Sequence, residues 1–157
     1  MATEDEKKLN MLHMTQLSLE VLAAEVWDTL GETSMVLANG MGDAILEMIE
    51  KEEGLEIAGE NPLDVGKEIN RIFVDEFGFA KEISLDVDKD NIATMKVTSC
   101  SNTKLTDKLL ADGVTTAYIC PIMLACSAAL RNMGIKSHVK IERWQEGKGC
   151  KIFFIPA

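Results

Sequence analysis

Apolar positions along the first third of the chain recur at helical spacing. Leu9, Leu12, Leu17, Leu19, Val21, Leu22, Val26 and Leu30 predict one long helix, which Gly31 stops. Glu32-Thr33-Ser34 can cap a second helix, through Met35, Val36, Leu37, Ile45, Leu46 and Ile49 to the charged exit Glu50 to Gly54. Gly40 and Gly42 weaken its middle by about 1 kcal/mol each relative to Ala, so close packing against another backbone, or room for a ligand, must compensate. Pro62 suits a first helical position, and Val65, Ile69, Ile72, Phe73 and Phe77 form the apolar face of a third helix ending at Gly78.

The period then changes. Ile83, Leu85 and Val87 alternate with polar residues, Asp88-Lys89-Asp90-Asn91 makes a turn, and Ile92 to Val97 returns as the second arm of a hairpin. Thr103 to Ala111 reads as a short helix and Tyr118 to Met133 as a longer one, with Pro121 in its first turn. Ser137 to Trp144 and Lys151 to Ile155 are strands joined by Gln145 to Gly149. The order ααα-ββ-αα-ββ predicts an α+β domain, with helices packed on a mainly antiparallel sheet of about four strands. It occupies residues 9–157, behind a frayed tail at 1–8.

A chain of 157 residues is one ordinary domain. Few aromatics and nine Met mean an aliphatic core tolerant of irregular contents. No apolar run reaches membrane length, and the acidic start does not resemble a secretory signal, so a cytoplasmic protein with reduced thiols is expected. Charge divides sharply: residues 1–93 hold 7 Lys/Arg against 22 Asp/Glu, and residues 94–157 hold 9 against 4. Neither part has a basic stripe interleaved with aromatics, so neither nucleic acid nor membrane is expected as a partner.

Candidate chemistry lies in the last third, where all four cysteines fall. Cys120 and Cys126 are six residues apart on one predicted helix, roughly 120° around its axis, so they do not share a face. Cys126, among Ala125, Ser127, Ala128 and Ala129, fits a packing seam. Cys100, Cys120 and Cys150 stand at element ends, which can converge into a three-thiolate site for a soft metal. Zinc is the first choice and iron is not excluded, with Glu142, His138 or water as fourth ligand. The chain lacks a Cys-x-x-Cys pair, which argues against the usual structural fingers. The rival is a reactive thiol: the helix dipole would depress the pKa of Cys120, and Lys148 or Lys151 that of Cys150. Simple burial of all four is the third alternative. His13 among apolar neighbours is not a ligand, Asp86, Asp88 and Asp90 lack the Gly and Glu of a calcium loop, and Gly40-Met41-Gly42 lacks the phosphate-loop context.

The run Ala117 to Ile155, with Cys120, Ala129 to Gly134, Val139 to Glu142 and Gly147 to Phe153, resembles the 4-vinyl reductase, or hydrocarbon-binding, domain family, whose fold is shared with TRAPP subunits. Cys100 and the terminal Gly147 to Cys150 are also similar to the L-2-amino-thiazoline-4-carboxylic acid hydrolase-like group. The resemblance implies a domain, often a homodimer, with a pocket for a small hydrophobic ligand. It also implies a metal held by cysteines and a Glu, matched here by Cys120, Cys150 and Glu142. A further cysteine expected between Glu142 and Cys150 is missing, a role Cys100 could take. Met35, Met41, Phe73, Phe77, Met123 and Trp144 are the candidate ligand-binding residues. The resulting expectation is a non-enzymatic binding or sensor module. The alternative is a small hydrolase or reductase using Cys120 or Cys150, with Glu142 or His138 moving protons.

Overall fold

The computed structural model describes residues 1–114 and 118–157. Ala117, which begins the run that carries the resemblance, lies outside the described residues. The expected α+β architecture is present. Helices α1 (Glu4–Leu30), α2 (Ser34–Lys51) and α3 (Pro62–Asn70) precede strands β1 (Glu82–Val87) and β2 (Ala93–Thr98), then come α4 (Thr103–Ala111), α5 (Pro121–Asn132), β3 (Ser137–Trp144) and β4 (Gly149–Pro156).

Helix α1 begins five residues before Leu9, because Thr3 and Glu6 close a reciprocal capping box and three acidic residues fill the first turn. The residues expected as a frayed tail are therefore helical from Glu4. Helix α3 is shorter than the predicted 62–77 segment. It passes into a π-helical stretch, Arg71–Glu76, which ends with Phe77 N–H donating to Ile72 O.

The four strands form one antiparallel sheet in the order β1-β2-β4-β3. The hairpin closes at Val87 opposite Ala93, and Asp88 organises its turn by accepting from the Asp90 and Ile92 N–H groups. Alternation turns Ala93, Met95, Val97, Cys150, Ile152 and Phe154 into the core. The opposite face carries exposed Glu82, Ser84, His138, Lys140 and Glu142.

Helix α5 is the centre of the molecule, with Ile122 to Cys126 and Ala128 to Leu130 all buried. It lies between the sheet and α2, and Gly42 is where α2 comes closest. A Cβ there would sit 2.7 Å from Leu124 O. At Gly40 the same addition meets nothing, so close packing explains only one of the two glycines. A second, smaller core joins α1 to α4: Ala23, Leu105, Leu109, Val114, Tyr118 and Ile119 are buried together. Tyr118 Oη donates to Ala23 O at 2.7 Å, and its ring stacks on Trp27.

Candidate functional site

One end of the sheet gathers the chemistry. Cys150 opens the central strand β4, opposite Val97 of β2 on one side and Arg143 of β3 on the other. Cys100 follows β2 after Ser99, and Cys120 is the residue that caps the N-terminus of α5. Two connections hold these ends in register. Ser99 N–H donates to Gly147 O at 2.9 Å, and Thr103 Oγ1 bridges Cys100 O at 2.7 Å and Lys148 O at 3.1 Å.

Gly149 is obligatory, because a Cβ there would run into the Val97 carbonyl. Ser99 (φ 51°) and Lys148 (φ 48°) both adopt the left-handed region uncommon for non-glycine residues, each within two residues of a cysteine. The chain pays this strain where it re-aims Cys100 and Cys150.

Cys100, Cys120 and Cys150 are close enough to feel one another's charge: ionising Cys100 or Cys150 would disfavour ionising Cys120, and Cys100 acts in the same way on Cys150. Cys100 and Cys120 are half-buried and Cys150 is buried. Cys126 shows no such coupling; it is sealed within the core on another face of α5, and burial alone pushes its thiol up.

The sequence suggested that the helix start would activate Cys120, but burial dominates. It drives this thiol to about 12, and the N–H groups of Met123 and Ile122 pull it only partly back. Burial likewise raises Cys100, and raises Cys150 to about 11. The cation beside Cys150 is Arg143, where the sequence suggested Lys148 or Lys151. Burial thus favours the protonated form of all three thiols over the thiolate.

Arg143 is the residue the sequence reading missed. On β3 it alternates inward with Val139 and Ile141, an unusual place for a guanidinium, and that alternation is the signal that could have found it. Its Nη1 lies 3.9 Å from Cys150 Sγ and donates to Gly149 O. Its Nε donates to Asp107 Oδ1 of α4 at 2.6 Å, so α4 is tied to the cluster. Glu142, one residue away, is on the opposite face, exposed and paired with Lys140 at 2.6 Å, and it does not face the thiols. His138 lies at the far end of β3, opposite Ile155.

Among the described residues, no three His, Cys, Asp or Glu side chains are grouped so as to hold a metal ion. The cysteines share an environment without being drawn together around a common point.

The six candidate ligand-binding residues are dispersed. Phe73 and Met123 are buried in the main core, while Met35 and Met41 lie where the two cores meet. Phe77 is exposed, edge-on to Phe73, and Trp144 lies on the outer side of the sheet beneath the Lys151 ammonium. An apolar cleft of about 380 Å³ lies at the other end of the sheet, lined among others by Pro62, Ala93, Leu130, Ile135, Phe154 and Pro156. Four residues of β4, roughly 13 Å, separate Cys150 from Phe154, the nearest residue of that strand in the cleft.

Among the described residues no helix is long and apolar enough to cross a membrane. A protein-family model described as "Putative rubredoxin C-terminal domain" matches residues 12–156. None of the curated proteins compared with the chain matches it.

Proposed function

The chain belongs to the rubredoxin C-terminal domain family, and from that membership together with the thiol geometry we propose that it is a non-catalytic, cysteine-centred metal-binding module. The observation that carries the reading is the placement of Cys100 after β2, Cys120 at the start of α5 and Cys150 at the start of β4, with the Cys100 and Cys150 ends tied together by Ser99 N–H to Gly147 O and by Thr103 Oγ1 to Cys100 O and Lys148 O. A four-thiolate site does not fit: no Cys-x-x-Cys pair exists, and Cys126, the only other thiol, is sealed elsewhere in the core. Three soft donors match zinc or a similar soft cation in kind and number; among the described residues they are not grouped around a common point, so binding would have to draw them together, with water rather than Glu142 in the fourth position.

A bound cation would supply the positive charge that lets three neighbouring thiols exist as thiolates. This chain's part is to give up three Sγ protons and to withdraw the Arg143 guanidinium from Cys150. Asp107 can retain Arg143 through its paired hydrogen bonds while that happens.

The test is cobalt and zinc titration of anaerobically purified protein, with thiol counting and elemental analysis. One metal per chain is expected, with thiolate-to-cobalt absorption that disappears in Cys100→Ser, Cys120→Ser and Cys150→Ser and persists in Cys126→Ser. Metal-free protein without that absorption would reject the site.

A second reading, the binding of a small hydrophobic ligand, is favoured by the apolar cleft at the far end of the sheet. An environment-sensitive apolar dye should bind there once per chain and be excluded by Ala93→Leu, which narrows the cleft. Unchanged binding in that variant would remove this reading, and would also leave the resemblance to hydrocarbon-binding domains without support from the cleft.

A further inference from the structure

Helices α1 and α4 meet along a seam whose charges balance at one turn and not at the next. Glu20 of α1, with a side chain only 16% exposed, pairs with Lys108 of α4 at 3.1 Å. One turn earlier on α4, on the same face, stands Lys104, while the positions one and two turns before Glu20 on α1 are Gln16 and His13. From Leu9 to Leu19 the chain carries no Asp or Glu, and from Ser101 to Thr106 its one charged residue is Lys104. Among the described residues Lys104 makes no ion pair.

These side chains line a cleft of about 130 Å³ between the two helices, with Leu17 and Leu105 as its apolar parts. Glu20 is its one carboxylate, and Lys108 already matches it. The neighbouring charges do not compensate Lys104. Asp107 is taken by Arg143 at 2.6 Å. The β3–β4 turn, tied to α4 by Thr103 Oγ1 donating to Lys148 O, brings Glu146 and Lys148, which cancel.

What the unbalanced turn offers is a set of donors: the Lys104 ammonium, the Gln16 amide, a His13 ring N–H and the Ser101 hydroxyl. The cleft also reaches the start of α4, the positive end of that helix, where Asn102 gives the first turn no side-chain hydrogen bond. Donors around an uncompensated cation are the surroundings of an oxyanion. They come from two helices on opposite walls, which suits the divergent oxygens of a tetrahedral anion better than the two coplanar oxygens of a carboxylate.

We propose that the cleft between α1 and α4 is a binding site for a phosphate group, free or carried on a small molecule, with Lys104 as its charge partner and Gln16, His13 and Ser101 as further donors. The site is separate from the thiols and does not depend on metal binding.

The experiment is an amide NMR titration of the isotope-labelled full chain with inorganic phosphate, with glycerol phosphate and with acetate, in low-salt buffer. Inorganic phosphate or glycerol phosphate should shift Gln16, Ser101 and Lys104 together and saturate at one per chain; the tighter of the two tells a free ion from a carried phosphate. Lys104→Gln should weaken binding about tenfold or more, and so should Gln16→Glu, which supplies a carboxylate to the lysine from within the chain. Lys89→Gln, in the β1–β2 turn, removes the same charge elsewhere and should leave the affinity within about twofold. Circular dichroism should show the same helix content in all three variants, since none alters a buried residue. Absence of shifts at those three residues up to about 10 mM of either phosphate would overturn the proposal. Acetate bound as tightly as phosphate, or equal weakening by Lys89→Gln and Lys104→Gln, would overturn it as well.

Discussion

Gly40 and Gly42 lie two residues apart on α2, and alanine at the two positions should change stability in opposite directions. At Gly42 the new Cβ would lie 2.7 Å from Leu124 O and 3.1 Å from Ala128 Cβ, both fixed parts of the buried helix α5. Relieving that contact requires α2 and α5 to separate by roughly half an ångström along a closely packed seam, an overpacking cost of about 1–3 kcal/mol. The gain in helix propensity offsets about 1 kcal/mol of it. At Gly40 nothing lies within 4 Å, so the propensity gain stands alone and stabilises by roughly 0.5–1 kcal/mol. The difference between the variants isolates the packing term, about 1–3 kcal/mol. With a urea slope of about 2 kcal/mol/M, their midpoints should differ by about 0.5–1.5 M, with Gly40→Ala above the original chain and Gly42→Ala at or below it. Equilibrium urea unfolding at one protein concentration measures this. Midpoints that move upward together by equal amounts would refute the claim that Gly42 is there for close approach.

Alkaline conditions should destabilise the fold through the thiols. Burial holds Cys120 at about 12 and Cys150 at about 11, above the ordinary value of 9.0, so between roughly pH 9 and pH 11 the unfolded chain releases protons that the folded chain retains. Stability therefore falls as pH rises through that window, by up to about 1.4 kcal/mol per pH unit for a fully protected thiol, and Cys126→Ala should flatten the slope by one thiol's share; a flat profile from pH 8 to 11 would contradict the burial. Arg143 favours the Cys150 thiolate and Asp107 opposes it, so peptide-resolved alkylation of Cys150 at pH 9 should slow by about two- to threefold in Arg143→Ala and quicken in Asp107→Asn, while equal shifts in one direction would deny their opposed roles. Tyr118→Phe leaves the Ala23 carbonyl without its buried donor and should cost about 1–3 kcal/mol in a thermal or urea melt, with no loss if that contact is immaterial.

The sequence by itself determined the element order and the class of fold. Helical spacing from Leu9 to Leu30, alternation from Ile83 to Val97, and stop signals at Gly31, Gly78 and Gly134 are local properties, and local sterics and periodicity suffice to read them. It also separated Cys126 from Cys120, because the angle between two positions on one helix needs no tertiary information. Three things were decided only by the assembled structure. Strand order β1-β2-β4-β3 places Cys150 between Val97 and Arg143, a neighbourhood built from residues far apart along the chain. The phase of β3 turns Arg143 inward and Glu142 outward, so the side chain that meets Cys150 is a cation rather than a carboxylate, and a single residue of register makes that difference. Last, burial outweighs the helix start at Cys120: the dipole was visible in the sequence, but desolvation depends on what the rest of the chain packs around the sulfur, and that exists only once the chain has folded.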